Sequence, residues 1–381
     1  MTTPAPCRAL YVHVPFCRTL CGYCDFYSVV PAVGQTGLLV DALVRELAVY
    51  AARGTVGPFD TVFVGGGTPT VLPADELRRL LGALRQHTVA VGDVEFTIEA
   101  NPATVTPATA DLLVAAGVNR VSLGAQSFNP AELRVLDRAH APEDVPRTVQ
   151  TCRAAGIRQL SLDLIFGIPG QTPASWAASL AAALALAPDH LSCYGLTYEP
   201  DTPLRARRDA GLVHPVDEDL EAELFERTID TLAAAGFEQY EISNFARPGS
   251  RCRHNLRYWR NEPYLGLGPS AAGFIDEVRY KNVADTAAYT AAVAEGRSPR
   301  CEEETLPPQR RARETAVLEL RLIEGIDRRR FSARYGIDPV ALFGDALTRH
   351  TANGLLVVTG THVRLTRRGL LCANVVMADV V

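Results

Sequence analysis

Three cysteines near the start of the sequence, Cys17, Cys21 and Cys24, have the spacing CxxxCxxC. One loop with this spacing can place three thiolates around a 4Fe-4S cluster, and because such clusters normally take four cysteines, one iron keeps an open site. An open coordination site indicates chemistry more than structure. The alternatives are three unrelated thiols or a zinc site, but zinc prefers four ligands, often as paired CxxC units, and there is no second pair. We therefore predict a 4Fe-4S cluster with an open iron.

Other polar or glycine-rich groups end segments of strand character. Gly65-Gly66-Gly67-Thr68-Pro69 follows the second such segment, Glu99 and Gln126 end the third and fourth, and Asp163 lies in the fifth. A glycine triplet alone is equally typical of a tight turn. A carboxylate at a strand end can accept hydrogen bonds from ligand hydroxyl or ammonium groups, or it can be a structural salt bridge or cap; a buried acid without a ligand is costly. We expect these groups to meet the cysteines at one opening.

The elements that position these groups alternate between short β-rich and longer helical segments up to about residue 235, the pattern of βα units around a parallel sheet. The predicted strands are Ala9 to Val14, Thr61 to Val64, Val94 to Ala100, Arg120 to Ala125, Gln159 to Phe166 and His190 to Thr197. The predicted helices are Gly37 to Ala51, Ala74 to Gln86, Pro107 to Ala116, Asp144 to Ala155, Pro173 to Leu186 and Asp217 to Ala235. Six units predict an α/β fold, a partial TIM-type barrel with its site at the carboxyl ends of the strands.

The remaining sequence predicts two further units after the barrel of residues 1–236. Residues 237–300 are loop-rich, and we interpret them as a cover of the barrel. In residues 301–381, three helical segments (Gln309 to Ile323, Arg328 to Tyr335, Pro339 to Ala352) precede two strands (Leu355 to Val358, His362 to Leu365), the order of a winged-helix domain. The recognition-helix position, Pro339 to Thr351, has Arg349 as its one firm cation, which favours packing over DNA binding.

The composition excludes several protein classes. The chain has 381 residues, 47% of them hydrophobic and 21% charged, with a formal charge of −5. This balance is ordinary for a globular protein and gives no overall field for nucleic acid or anionic membranes. No early apolar run is long enough for a signal peptide and none for a membrane span, so we expect a cytoplasmic protein. Nine scattered cysteines fit a reducing compartment better than a disulfide framework.

The cysteine loop resembles that of the radical S-adenosylmethionine (radical SAM) enzymes, in which an aromatic residue, here Tyr23, precedes the last cysteine. The resemblance implies that the cofactor's amine and carboxylate bind the open iron, and that its reduction can produce a 5′-deoxyadenosyl radical. It also implies that the Gly65 to Pro69 segment binds the methionyl amine through its backbone. A narrower resemblance, to the branch of oxygen-independent coproporphyrinogen III oxidase and its heme-chaperone relatives, rests on matching segments at Tyr11 to Cys17, Gly65 to Thr70, Glu99 to Pro102, Asn119 to Phe128, Asp163 to Pro169 and Gln239 to Ser243.

The resemblance to this branch implies roles for individual residues. Tyr11, Gly66 and Glu99 would contact the cluster-bound S-adenosylmethionine. A second cofactor site would be surrounded by Gly67, Thr68, Gln126, Arg138 and Asp163, and Tyr23 belongs to the cofactor-binding set through its place in the cluster loop. For Arg138, an ordinary surface position on a helix is the alternative.

Two features distinguish the oxidase from the chaperones within this branch. The oxidase has a cysteine two places after the third cluster ligand, where this chain has Phe26, and an N-terminal extension, whereas here only sixteen residues precede Cys17. The segment from His254 to Trp259 matches the HNxxYW motif of the chaperone group, which is linked to heme binding. An imidazole can ligate heme iron, so His254 is a candidate axial ligand, with Cys252 as a competing one. An ordinary loop that closes the barrel is the alternative for this motif.

These resemblances favour a heme chaperone that binds heme, a 4Fe-4S cluster and S-adenosylmethionine and delivers heme to apo-hemoproteins such as respiratory ones. Contact with the membrane surface through the client, and a dimer, stay open. A radical SAM enzyme that decarboxylates coproporphyrinogen III, or that methylates or opens heme, is the competing hypothesis, so the sequence leaves enzymatic turnover undecided. A DNA-binding regulator is a third class, but the C-terminal domain lacks the basic face it would need, and we expect no nucleic-acid partner.

Overall fold

The computed structural model describes residues 7–54, 56–89 and 94–380. The strands are β1 (Cys7–Val14), β2 (Val56–Gly66), β3 (Glu95–Ala100), β4 (Arg120–Gln126), β5 (Gln159–Phe166), β6 (His190–Gly195), β7 (Glu238–Gln239), β8 (Asn244–Ala246), β9 (Leu265–Leu267), β10 (Ala272–Ile275), β11 (Val278–Asn282), β12 (Arg300–Thr305), β13 (Ile326–Asp327), β14 (Leu356–Val358) and β15 (His362–Leu365). The helices are α1 (Gln35–Ala52), α2 (Ala74–Arg85), α3 (Pro107–Ala115), α4 (Pro130–Val135), α5 (Asp144–Ala155), α6 (Pro173–Ala185), α7 (Pro203–Asp209), α8 (Glu218–Ala234), α9 (Arg253–Trp259), α10 (Thr286–Ala294), α11 (Pro308–Glu319), α12 (Arg328–Tyr335), α13 (Pro339–Phe343), α14 (Asp345–Ala352), α15 (Arg367–Leu371) and α16 (Ala373–Ala378).

The main sheet has nine strands in the order β7-β8-β6-β5-β4-β3-β2-β1-β9. Strands β1 to β6 pair in parallel, as the alternating sequence pattern predicts, and helices connect them. Val62, Phe96 and Leu162 are fully buried, and the pairing of the strands places them on the same face of the sheet, which forms the apolar core beneath the helices. The predicted six-unit α/β barrel is therefore confirmed.

Local sequence explains where several connecting helices begin and end. The side chains of Thr106, Thr172 and Asp217 accept hydrogen bonds from the first turns of α3, α6 and α8, as N-cap residues do. Helix α5 ends at Gly156, whose φ of 100° favours glycine. The predicted strands and connecting helices agree with the structure to within a few residues, apart from the longer β2, whereas the short helices α4 and α7 were not predicted.

The segment expected to be a loop-rich cover contributes strands to the main sheet. Strand β9 pairs in parallel with β1 at one edge, and β8 pairs antiparallel with β6 at the other. The same segment contains α9, α10 and most of a separate antiparallel sheet, β10-β11-β12. These residues therefore extend the barrel at both edges as well as covering it, which the sequence pattern did not indicate.

The C-terminal region has its own apolar core and a three-stranded sheet in the order β13-β15-β14. The order of helices and strands is that of the predicted winged-helix-like domain, although the helix expected over Pro339 to Ala352 is interrupted at Gly344. Backbone hydrogen bonds connect this region to the barrel: Ile242 N–H donates to the Arg321 carbonyl, and Ile323 N–H donates to the Tyr240 carbonyl.

A bilayer span needs a long apolar helix. Among the residues that the structure describes, no helix combines the necessary length and apolar character.

Candidate cluster and cofactor site

The three cysteines lie in a loop directly after β1, at the carboxyl edge of the sheet. Backbone hydrogen bonds fix the base of this loop, because Cys17 N–H donates to the Val29 carbonyl (3.0 Å) and Val29 N–H donates to the Pro15 carbonyl (2.8 Å). The Tyr23 ring packs against a small apolar cluster that includes Leu136 and Ile165. The aromatic residue before Cys24 therefore anchors the loop to the ends of α4 and β5.

The Cys17, Cys21 and Cys24 side chains all line one cavity. Within the described ranges, no three Cys, His, Asp or Glu side chains converge as they would around a single metal ion. Three thiols from one loop at one cavity are the donor set that a 4Fe-4S cluster with one open iron requires. Burial raises the pKa of the Cys24 thiol to about 11 and also raises that of Cys17, so cluster assembly would have to release protons there.

The glycine segment after β2 forms a cradle beside the cysteines. Gly67 N–H donates to the Val14 carbonyl (2.8 Å), and Thr68 N–H donates to the Phe16 carbonyl (2.7 Å). A Cβ on Gly67 would lie 2.7 Å from the Pro15 backbone. Gly66 has φ = 105°, a conformation in which side chains are strained. Glycine is therefore required for the close approach of this segment to the cluster loop.

Two buried carboxyl groups, Glu99 and Asp163, stand on the same wall. Glu99 Oε2 accepts a hydrogen bond from Gly66 N–H (2.9 Å), and burial, followed by the nearby Asp163, raises the pKa of Glu99 to about 7. Asp163 accepts from the Ser122 hydroxyl at 3.0 and 3.1 Å, and burial raises its pKa as well. Neither acid has an ion-pair partner within 4 Å among the described residues. Buried acids of this kind are typical of ligand sites.

Gln126 and Arg138 line the same cavity as these acids. Gln126 has φ = 61° and lies at an irregularity in the pairing of β4 with β5. Such conformations in residues other than glycine are uncommon and concentrate at functional sites. Arg138 donates to Cys21 Sγ (3.4 Å) and to the Gly124 carbonyl (2.6 Å), while its buried Nε has no hydrogen-bond partner. The unpartnered Nε fits a ligand in this cavity.

The cavity that these residues line, the outer cavity, has a volume of about 390 Å³. It brings together most of the residues predicted to bind a cluster or cofactor, namely Cys17, Cys21, Tyr23, Cys24, Gly66, Gly67, Thr68, Glu99, Gln126, Arg138 and Asp163. Tyr11 lies instead at an inner cavity of about 270 Å³, which adjoins the outer cavity at Gly66, Glu99 and Asp163. Its hydroxyl bonds with Nδ1 of His13 at 3.0 Å.

His254 occupies a different place from the one expected of a heme ligand. Its ring is fully buried against Phe63, Nδ1 bonds with Thr61 Oγ1 (3.0 Å) and Nε2 bonds with Tyr258 Oη (2.8 Å). Burial lowers its pKa to about 3. Because both ring nitrogens are engaged and the ring lines neither cavity, this geometry is against His254 as an axial ligand.

The HNxxYW segment instead closes the barrel on the side away from the cysteines. The Glu95 side chain, at the start of β3, accepts from the backbone N–H groups of Arg253 (2.8 Å) and His254 (2.9 Å) and so caps α9. Asn255 and Tyr258 line the inner cavity. The motif therefore closes the barrel, as in the alternative to heme binding, although it forms the helix α9 and not a loop.

The sequence did not single out Tyr194, at the end of β6, which lines both cavities with 41% of its surface exposed. Phe26 also lines both and is 64% exposed. Tyr194 lies near the end of the predicted strand His190 to Thr197, and this position could have indicated that its side chain lines the site. These two rings form the rim of the site.

Comparisons with known proteins place this chain in a family. A model of the radical SAM superfamily matches residues 11–183, and one of the HemN C-terminal domain matches residues 306–372. The heme chaperone HemW of Bacillus subtilis is 35% identical over 96% of this chain and 97% of its own length. The chain belongs to the HemW family. The HemW protein of Mycobacterium tuberculosis is 38% identical over 97% of this chain and 93% of its own. Coproporphyrinogen III oxidase (HemN) from Escherichia coli shares the fold with a TM-score of 0.85 and 25% identity, over 99% of this chain and 90% of its own.

Membership of the radical SAM superfamily implies a 4Fe-4S cluster and S-adenosylmethionine as cofactors. The outer cavity of this HemW-family chain fits them in kind, since it offers three thiols, a glycine cradle, two buried carboxyl groups and an unpartnered guanidinium nitrogen. The donor set therefore agrees with what the family implies.

Proposed function

We propose that this protein is a cytoplasmic heme chaperone, which binds heme together with a 4Fe-4S cluster and S-adenosylmethionine and delivers the heme to apo-hemoproteins. One observation carries the proposal: the cysteines, the glycine cradle and the buried acids face a single cavity in a chain whose full-length relatives are named heme chaperones. The proposal includes membrane-associated hemoproteins among the clients and a dimer as the acting form.

In this proposal, Cys17, Cys21 and Cys24 would hold the cluster, and S-adenosylmethionine would bind beside it. Gly66, Glu99 and Tyr11 contact that cofactor, while Gly67, Thr68, Gln126, Arg138 and Asp163 contact the second side of the outer cavity, with Tyr23 holding the loop. When bound, the cluster and S-adenosylmethionine supply one-electron chemistry. The buried carboxylates would accept hydrogen bonds from hydroxyl or ammonium groups of the cofactor.

The heme would lie at the rim of the outer cavity. Phe26 and Tyr194 present exposed aromatic surface there, and Leu20, in the cluster loop, is 53% exposed. A porphyrin is planar and largely apolar, so it gains both burial and ring stacking against such side chains. Arg18, in the same loop, is exposed and would pair with a propionate. We propose this rim location for heme in place of a site in which His254 is the axial ligand.

A second candidate, a radical SAM enzyme that acts on a porphyrin, is favoured by the structural similarity to coproporphyrinogen III oxidase. The residue at position 26 opposes it, because Phe cannot supply the thiol that the oxidase has there. The chaperone therefore remains the preferred function.

The decisive experiment uses anaerobically reconstituted protein with S-adenosylmethionine, reductant and either heme or coproporphyrinogen III. We expect stoichiometric heme binding, transfer to an apo-hemoprotein and no porphyrin conversion. Protoporphyrinogen, methylated heme or a ring-opened product would instead establish the enzyme.

Variants test the two parts of the site separately. Cys17→Ser should abolish the brown cluster absorbance, whereas Cys301→Ser, an exposed thiol outside the site, should not. Phe26→Ala should weaken heme binding without loss of the cluster, and Val375→Ala, which also shortens an exposed apolar side chain, serves as the matched control. Equal heme affinity in both variants would contradict the rim location.

A further inference from the structure

A continuous chain of hydrogen bonds runs from Asp163, which lines the outer cavity, along the inner cavity to the turn between β7 and β8. Asp163 Oδ1 is 3.3 Å from Ser161 Oγ, and Ser161 Oγ is 2.8 Å from Nδ1 of His190. On the other side of the ring, Nε2 of His190 is 2.8 Å from Tyr240 Oη. These four side chains, the Asp163–Tyr240 chain, come from β5, β6 and the turn between β7 and β8.

An ionised Asp163 that accepts from Ser161 would set the direction of every bond in the chain. An ionised carboxylate only accepts, so Ser161 donates its proton to Asp163 and must accept from His190. His190 therefore carries its proton on Nδ1, and its bare Nε2 accepts from the Tyr240 hydroxyl. The Tyr240 oxygen can then accept from Cys252 N–H, 3.4 Å away.

The surroundings keep this direction in place. His190 is 1% exposed, and burial, followed by the nearby charge of Arg120, lowers its pKa well below the usual value. The ring is therefore neutral, and it has only one proton to share between its two nitrogens. Arg120 itself is buried and held by Gln159 Oε1 (3.0 Å) and the Ser250 carbonyl (3.1 Å).

The outer end of the chain meets the C-terminal region. The carbonyl of Tyr240 accepts a hydrogen bond from Ile323 N–H. In the same turn, Ile242 N–H donates to the Arg321 carbonyl. Glu241, beside Tyr240, is fully buried, with Oε2 3.6 Å from Nη2 of Arg321. The orientation of the Tyr240 hydroxyl thus depends on a turn that the C-terminal region helps to hold.

We propose that His190 and Tyr240 are positioning residues, which hold the Ser161 hydroxyl as a donor to Asp163 and thereby keep this carboxylate an acceptor directed into the cofactor cavity. The inference rests on the proposed binding of S-adenosylmethionine beside Asp163. It also gives a function to the segment from Gln239 to Ser243, which lines neither the outer nor the inner cavity. The Asp163–Tyr240 chain thus connects the C-terminal region, through residues 321–323, to the cofactor cavity.

Four variants test the chain through S-adenosylmethionine affinity, measured by calorimetry on reconstituted protein between pH 6 and 8. Ser161→Ala and His190→Ala should weaken binding by about tenfold, the effect expected of one lost hydrogen bond to a charged acceptor. His190→Asn can still place a donor near Ser161 and should recover most of the affinity. Tyr240→Phe should have an intermediate effect, because the freed Nε2 lets the proton move to either ring nitrogen.

Two readouts separate positioning from ordinary structural damage. Loss of the Ser161 donor makes ionisation of Asp163 harder against the charge of Glu99, so the affinity of Ser161→Ala should depend more steeply on pH than that of the wild type. Tyr280→Phe removes another buried tyrosine hydroxyl, bonded to the Gly266 backbone, and should leave affinity and pH profile unchanged. An equal loss in Tyr280→Phe and Tyr240→Phe, or no rescue by His190→Asn, would overturn the proposal.

Nitrogen-15 spectra of histidine-labelled protein test the chain without any cofactor, with His190→Asn to assign the signal. A neutral His190 with its proton on Nδ1 from pH 6 to 8 supports the chain even if S-adenosylmethionine does not bind, in which case only the proposed cofactor site fails. A proton on Nε2, or a cationic ring, would overturn the chain itself.

Discussion

The Glu99 carboxyl group should make the binding of S-adenosylmethionine depend on pH near neutrality. Its side chain is buried, it receives one hydrogen bond from Gly66 N–H, and its pKa is raised to about 7 by burial and by Asp163. If the cofactor binds the carboxylate form, only about a tenth of the protein is competent at pH 6 and about nine tenths at pH 8. Because the apparent Kd varies inversely with the competent fraction, it should fall by about tenfold between these two values.

Isothermal titration calorimetry under anaerobic conditions can measure this change, with Glu99→Gln as the comparison. The variant keeps the shape of the side chain but has no charge to titrate, and dividing the two Kd values cancels the titration of the cofactor's own groups. The ratio should change by about tenfold from pH 6 to pH 8. In Asp163→Asn the neighbouring acid is removed, so the midpoint of the change should move to lower pH. A ratio that stays constant across this range would show that Glu99 does not bind the cofactor as a carboxylate.

Three further predictions concern stability and the glycine cradle. Burial raises the pKa of Glu46 to about 7, so its neutral form stabilises the fold fully below about pH 4.5, and this contribution is lost as the pH rises through 7. Between pH 5 and pH 8, the free energy of unfolding of Glu46→Gln, measured with urea, should therefore rise by about 2 to 3 kcal/mol relative to that of the wild type. A difference that is the same at both pH values would contradict this. Thr228→Val removes the hydroxyl that accepts a hydrogen bond from the buried Trp176 indole N–H at 2.9 Å, so it should lower the free energy of unfolding by about 1–3 kcal/mol in the same assay. An unchanged free energy of unfolding would show that this hydrogen bond does not stabilise the fold. Gly67→Ala would push a Cβ to 2.7 Å from the Pro15 backbone, so it should lower the cluster content after reconstitution, measured as iron per chain; an unchanged content would mean that the cradle can yield.

The part of the site that the sequence predicted well is the part built from consecutive βα units. The residue types at the ends of β1 to β5 could be assigned to one opening because parallel strands end at the same edge of a sheet. The outer cavity brings these residues together, including Arg138, which lies outside the strands. No long-range information was necessary beyond the order of the strands.

The location of His254 could not be obtained in this way. A motif gives spacing along a helix, but the direction in which α9 faces depends on Glu95, which caps it from β3, and on Thr61, which binds the imidazole. These partners are about 160 and 190 residues away in sequence. Strand β9 was missed for a similar reason, since three residues, Leu265–Leu267, are too few to show a period.

The position of α9 changes where differences between the chaperone and the oxidase should be sought. The motif lies near the start of β3, with Asn255 and Tyr258 at the inner cavity, whereas the cysteines line only the outer cavity and Phe26 and Tyr194 line both. The inner cavity, at about 270 Å³, is smaller than most ligand pockets, so the heme of the proposed function is expected at the rim. In the proposed location, Phe26 would give a porphyrin an apolar contact at the position where the resemblance implies a cysteine in the oxidase.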